Sequence, residues 1–162
     1  MSTLSTILLY GVPTSLLLSA VLLAMGWVNP RLMLQDYPKD IQAAVPPKTQ
    51  EEKRQTLYWS IPFWLLLLGF PIAAALTAYA ANLGFLDVFL SAFGMAFLFN
   101  LVDWLILDWF IICTITPTFV VLPGTEGMAG YKNYAMHFKG FLIGTVLSVV
   151  IGLIIAAFVV FL

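Results

Sequence analysis

Four long apolar runs separated by polar stretches organise the chain, at about 4–28, 57–81, 87–116 and 141–162. Each meets the ~20 residues that a helix needs to cross a bilayer. The stretches between them differ in kind: 29–56 and 117–140 are long and carry charge, whereas 82–86 is a bare turn. The pattern predicts an all-α polytopic membrane protein, a single four-transmembrane-helix bundle over residues 1–162.

Composition hardens this reading. Hydrophobic residues make up 62% of the chain and charged residues 9%, against roughly 25% charged in a soluble domain, so most of the mass belongs to the bundle. The first run has no Lys or Arg before it and outlasts the ~7–15 residue core of a secretory signal, so it is expected to be a retained span. All seven basic residues fall in two loops: Arg31, Lys39, Lys48, Lys53 and Arg54 in the first, Lys132 and Lys139 in the third. Basic loops stay in the cytoplasm. The chain is therefore expected in the plasma membrane with both termini outside, its basic loops facing the anionic inner leaflet.

In the first loop, Pro46 and Pro47 stop any helix begun after Asp40, and Thr49 with Glu52 matches a capping box that opens the second span. The rest of that loop reads as a solvated juxtamembrane linker, with a docking surface for a cytoplasmic partner as the alternative. Pro71, two residues after Gly69, is expected to bend the second span and free a carbonyl. In the fourth span Gly140, Gly144, Ser148, Gly152 and Ala156 recur every four residues, so one face is small enough for close backbone approach. Gly11, Ser15 and Ser19 form a shorter stripe in the first span. These stripes are expected to join spans one and four or to form a homo-oligomer contact.

The third span carries the candidate chemistry, in the run NLVDWLILDWFI (100–111), where the pair Asp-Trp repeats after five residues. At ~1.5 Å per residue from an N-cap at Asp87, Asp103 lies ~24 Å along the helix and Asp108 ~31 Å, near the cytoplasmic surface. Asn100 and Asp103 share a face, whereas Asp103 and Asp108 stand ~140° apart on a straight α-helix and meet in one site only if the helix distorts. Trp104, four residues before Asp108, is a possible donor to its carboxylate. In the third loop Pro117 ends the helix, FVVLP reads as extended, Pro123-Gly124 as a turn, and an interfacial helix is expected from Thr125. That loop delivers Glu126, Tyr131, Lys132, Tyr134, His137 and Lys139 to the same end of the bundle. The candidate binding residues are thus Asn100, Asp103, Asp108, Glu126, Tyr131, Tyr134, His137 and Lys139, with Asp103, Asp108 and His137 as the candidate catalytic groups.

The run VDWLILDW, then PGTEG, then Y-x-x-Y-x-x-H-x-K-G-F resembles a family of small prokaryotic four-span membrane proteins. The resemblance covers about the last 65 residues and implies the four-span architecture without an activity. Three functions fit the residues. The leading one is a binding or accessory protein of a larger membrane system, with Asp103 bonded to Asn100 and to a loop Tyr or Lys. The second is a proton-coupled or small-solute transport unit, with Asp103 protonatable and Pro71 a hinge. The third is an inner-leaflet enzyme on a lipid or other amphiphile, in which His137 is acid or base, Asp103 or Asp108 orients it, and Lys132, Lys139 or the PGTEG backbone receives a phosphate. One His with scattered carboxylates is a poor transition-metal site, and the lone Cys113 allows no intrachain disulfide. No metal, cofactor or nucleic acid is expected; the expected partners are the lipid bilayer and a homo-oligomer or larger complex.

Overall fold

The computed structural model describes residues 2–161, and these are mainly helical, joined by turns and short irregular stretches, with no strand among them. Five α-helices follow in order: α1 (Thr3–Val28), the short α2 (Lys39–Ala44), α3 (Gln50–Ala80), α4 (Phe85–Val102) and α5 (Tyr134–Phe161). From Asp103 to Ile115, α4 continues as a π-helix. Four helical stretches are long and apolar enough to cross a membrane: Thr3–Val28, Gln50–Ala80, Phe85–Ile115 and Tyr134–Phe161.

The helix starts have local causes. Ser2 accepts from the backbone of Ser5 to open α1. Thr49 and Glu52 form a reciprocal capping box at α3, at 3.1 and 2.7 Å, which removes two unsatisfied backbone donors. The helix therefore begins seven residues before the apolar run, and it continues through Pro62 and the fully buried Pro71. Gly84, and not Asp87, is the N-cap of α4. Asp87 lies in the first turn and accepts from the Thr3 hydroxyl at 2.9 Å, tying the start of α4 to that of α1.

The α4 helix is the hub of the bundle. It packs against α1, α3 and α5, while α1 and α5 make no more than marginal contact. The small-residue stripes accordingly face α4, which corrects the expected pairing of spans one and four. A Cβ added at Gly152 would lie 2.9 Å from the Cβ of Phe93, and one at Gly144 would run into the side chain of Asn100. On the other flank, a Cβ at Gly11 would lie 2.9 Å from Leu98. Lipid supplies no hydrophobic drive between spans, so such close approach is what holds the helices together. Gly140 is outside this seam, with open space where its Cβ would be.

Two apolar plugs mark the ends. At the short-turn end, Ala75, Ala78, Val88, Ala92, Ile155 and Ala156 form one buried cluster. At the other end, Leu34 and Ile41 of the first loop pack on Leu122 and Tyr131 of the third. The first loop is consequently a folded cap and not the solvated linker read from its charges. Two of its basic residues hold it in place: Arg31 pairs with Glu52 at 2.6 Å and donates to the carbonyls of Pro46 and Pro47 at 3.0 and 3.1 Å. The Lys48 ammonium donates to the Leu32 carbonyl, Gln35 and Thr56. The third loop is turned inward in the same way. Its FVVLP stretch holds a 3-10 turn at Thr118–Val120, and another at Ala129–Lys132 replaces the helix expected from Thr125.

Candidate functional site

Between the bundle and its loop cap lies a cavity of about 750 Å³, within the ~300–1,000 Å³ usual for small-molecule sites. Leu22, Leu23 and Met25 from α1, and Phe63 and Trp64 from α3, form apolar wall. Asp103, Leu107 and Asp108 enter from the π-helix and His137 from the first turn of α5. The cap contributes Asp36, Tyr37, Phe119 and Tyr131.

The π-helix is what brings both membrane carboxylates into this space. Its hydrogen bonds span five residues, seen in Thr116 N–H donating to the Ile111 carbonyl at 2.9 Å. Residues five apart then return to nearly the same face, so Asp103 and Asp108 line one cavity, as do Leu107 and Ile112. The Asp-Trp repeat has that same spacing. Trp104 and Trp109 meet edge to face at 4.7 Å, and Trp104 stacks on Phe141 at 4.3 Å. The far end is closed by Lys132, which donates to the Thr114 carbonyl at 3.0 Å and to the Thr116 hydroxyl at 2.7 Å.

Within the cavity, Asp108 Oδ2 accepts from or pairs with His137 Nδ1 at 2.9 Å, with both side chains mostly buried. That bond fixes the ring and leaves Nε2 without a protein partner among the described residues. Asp103 lines the same cavity and has no hydrogen bond or ion pair among the described residues. Asn100 does not serve it: the Asn100 amide donates to the Phe141 carbonyl at 3.0 Å and the Thr145 hydroxyl at 3.2 Å, stitching α4 to α5. The Trp104 indole N–H, expected to reach Asp108, is buried and unpartnered among the described residues.

The remaining candidates divide. Tyr131 is buried at the cavity, its hydroxyl held by the Leu122 N–H at 2.9 Å and by Thr125 at 2.6 Å. Glu126 is exposed and accepts from the Gly124 N–H, closing the Pro123-Gly124 turn, where Gly124 takes φ 85°. Tyr134 meets the Thr114 hydroxyl at 3.0 Å outside the cavity, and Lys139 is exposed and does not line it. The cavity therefore gathers Asp103, Asp108, Tyr131 and His137 and leaves Asn100, Glu126, Tyr134 and Lys139 to structural or surface positions.

Asp36 and Tyr37 join the site from the first loop, where their only sequence signal was a charged, Pro-rich context. Asp36 accepts from Gln35 at 2.8 Å. Burial raises its carboxyl above the ordinary value, the nearby charge of Asp108 adds to this, and Lys48 and the Gln35 bond oppose it. Tyr37 donates to the Val120 carbonyl at 2.7 Å, and burial keeps its phenol protonated by raising its proton affinity. Burial also lowers the Lys48 ammonium below its ordinary value, against the pull of Asp36 and Glu52. Among the described residues no group of three or more His, Cys, Asp and Glu is placed to hold a metal ion.

No family model, curated protein or solved structure matches this chain, so the geometry of the cavity carries the functional reading.

Proposed function

We propose that the chain is a multi-pass plasma-membrane protein with both termini outside the cytoplasm, and that it binds an amphiphile in the loop-capped cavity as a binding or accessory component of a larger membrane system. The carrying observation is a cavity of about 750 Å³ with an apolar wall along Leu22, Phe63 and Trp64 and a polar end at Asp103, Asp108 and His137. An apolar body with one polar end matches that division. The orientation rests on the basic residues, all at the capped end of the bundle. Kinship with the four-span family belongs to the same proposal and rests on VDWLILDW, PGTEG and the His137-Phe138-Lys139-Gly140-Phe141 segment.

Native mass spectrometry of the particle extracted in its own lipid tests the binding reading: a retained amphiphile is expected, and a particle with the mass of the bare polypeptide overturns it. For orientation, a reporter that works only outside the cytoplasm should be active when fused after Leu162. Activity of a cytoplasm-only reporter at that position reverses the topology.

A second reading has its own observation. The Asp108–His137 pair holds an imidazole that lines the cavity and whose Nε2 has no partner among the described residues, an arrangement that suits a general base, so a bound amphiphile would then be a substrate at the inner leaflet.

A further inference from the structure

Three carboxylates, Asp36, Asp103 and Asp108, line one cavity, and of the three only Asp108 has a salt-bridge partner among the described residues. His137 is engaged by Asp108 at 2.9 Å. Lys39 lines the rim, exposed, and donates to Gln42 at 3.3 Å. Lys48 is held by the Leu32 carbonyl, Gln35 and Thr56. Asp103 alone has no partner of any kind among the described residues, although it is the acid placed deepest in the bundle. A charged Asp at the bilayer centre costs ~2.5–3.5 kcal/mol and is kept where it can pair or face a polar cavity. When charged, Asp103 finds no cation of this chain to pair with among the described residues, and a cationic group brought by a ligand would supply one. An anionic head would be set against three acids, whereas a cationic one would meet Asp103 at no cost to an existing bond. Aromatic faces at Phe63, Trp64 and Phe119 also line the space, and such rings attract an ammonium.

We propose that the cavity takes an amphiphile with an ammonium head, the charge seated between Asp103 and Asp108 and the hydrocarbon against Leu22 and Phe63. This rests on the amphiphile-binding reading and adds the charge of the head. The ammonium can belong to a free amphiphilic amine or to a membrane lipid, and the chemistry of the seat is the same.

The test uses the full chain in an uncharged maltoside detergent, with calorimetric titration of five probes: dodecylamine, dodecyltrimethylammonium, lysophosphatidylethanolamine, dodecanol and dodecyl phosphate. Dodecylamine or dodecyltrimethylammonium is expected to bind about 10-fold or more tightly than dodecanol and dodecyl phosphate. Asp103→Asn should remove that preference, and Asp87→Asn, at the opposite end of α4, should keep it. Comparable binding of the lysolipid supports a lipid source, and its exclusion beside strong amine binding supports a free amine. Equal or better binding of dodecanol or dodecyl phosphate overturns the ammonium assignment and leaves the amphiphile site standing. Unchanged amine binding by Asp103→Asn also overturns it. If no probe binds at any charge, the site reading fails as well. Should Asp103→Asn not fold, the ranking of probes on the unsubstituted chain decides.

Discussion

Asp103→Leu is expected to abolish the proposed binding of an amphiphile in the cavity and, in the same protein, to raise the thermal stability of the unliganded chain. Stability and binding separate here because Asp103 holds nothing together: it makes no hydrogen bond or ion pair among the described residues and borders open cavity. Removing an unpaired acid from the bundle relieves part of its insertion cost, which is ~2.5–3.5 kcal/mol for a charged Asp at the bilayer centre and less toward the interface. The added leucine methyls have room in a space of about 750 Å³. A tryptophan-fluorescence melt in detergent, with native mass spectrometry on the same sample, measures both effects. Asp87→Asn should be mild in each, since its cross-helix bond is to a part-buried Thr3 hydroxyl at 2.9 Å, which an amide oxygen can still accept. A lower melting point for Asp103→Leu would assign the acid a structural role and remove the main reason for seeking an external partner.

Gly144→Leu is expected to have the opposite profile, a large loss of folded protein. The first added carbon already collides with Asn100, whose Cγ lies 2.8 Å from it. Moving Asn100 breaks its bonds to the Phe141 carbonyl and the Thr145 hydroxyl, the polar ties between α4 and α5. Unmade buried hydrogen bonds cost ~1–3 kcal/mol and overpacking a further ~1–3 kcal/mol, together comparable to much of a domain's net stability of ~5–15 kcal/mol. Gly140→Leu is the control, because nothing lies within 4 Å of its added Cβ. Equal melting points for the two variants would show that the stripe does not pack as described.

These two residues show how differently parts of the molecule could be read in advance. The small-residue period was visible along the chain, but its partner was not. A stripe records that some backbone comes close without recording which one, and here it is α4 on both flanks. The site was legible in part. Asp103, Asp108 and His137 share the cavity, yet Asn100 was drawn into the same cluster by α-helical spacing and instead ties two helices. Asp36 and Tyr37 were out of reach because their position depends on the first loop folding over the third, through Ile41, Leu122 and Tyr131. Charge made that loop look solvated. Arg31 and Lys48 spend their charge on loop carbonyls and on Glu52, which a count of charges does not reveal.

The four long helices follow from local facts: apolar runs of bilayer length, a capping box at Thr49, and Pro117 after the last residue of the π-helix. Each is settled within a few residues of itself, because a backbone that cannot bond to lipid must satisfy its hydrogen bonds along its own strand. The winding of residues 103–115 is of another kind. Spacings of four and five both satisfy the backbone, so the choice falls to groups distant in sequence: Phe141 stacked on Trp104, Tyr134 against Trp109, and Lys132 on the Thr114 carbonyl. The five-residue Asp-Trp period was the one local trace of that choice. Long-range packing converted it into a single face carrying two acids, and with that face the cavity exists.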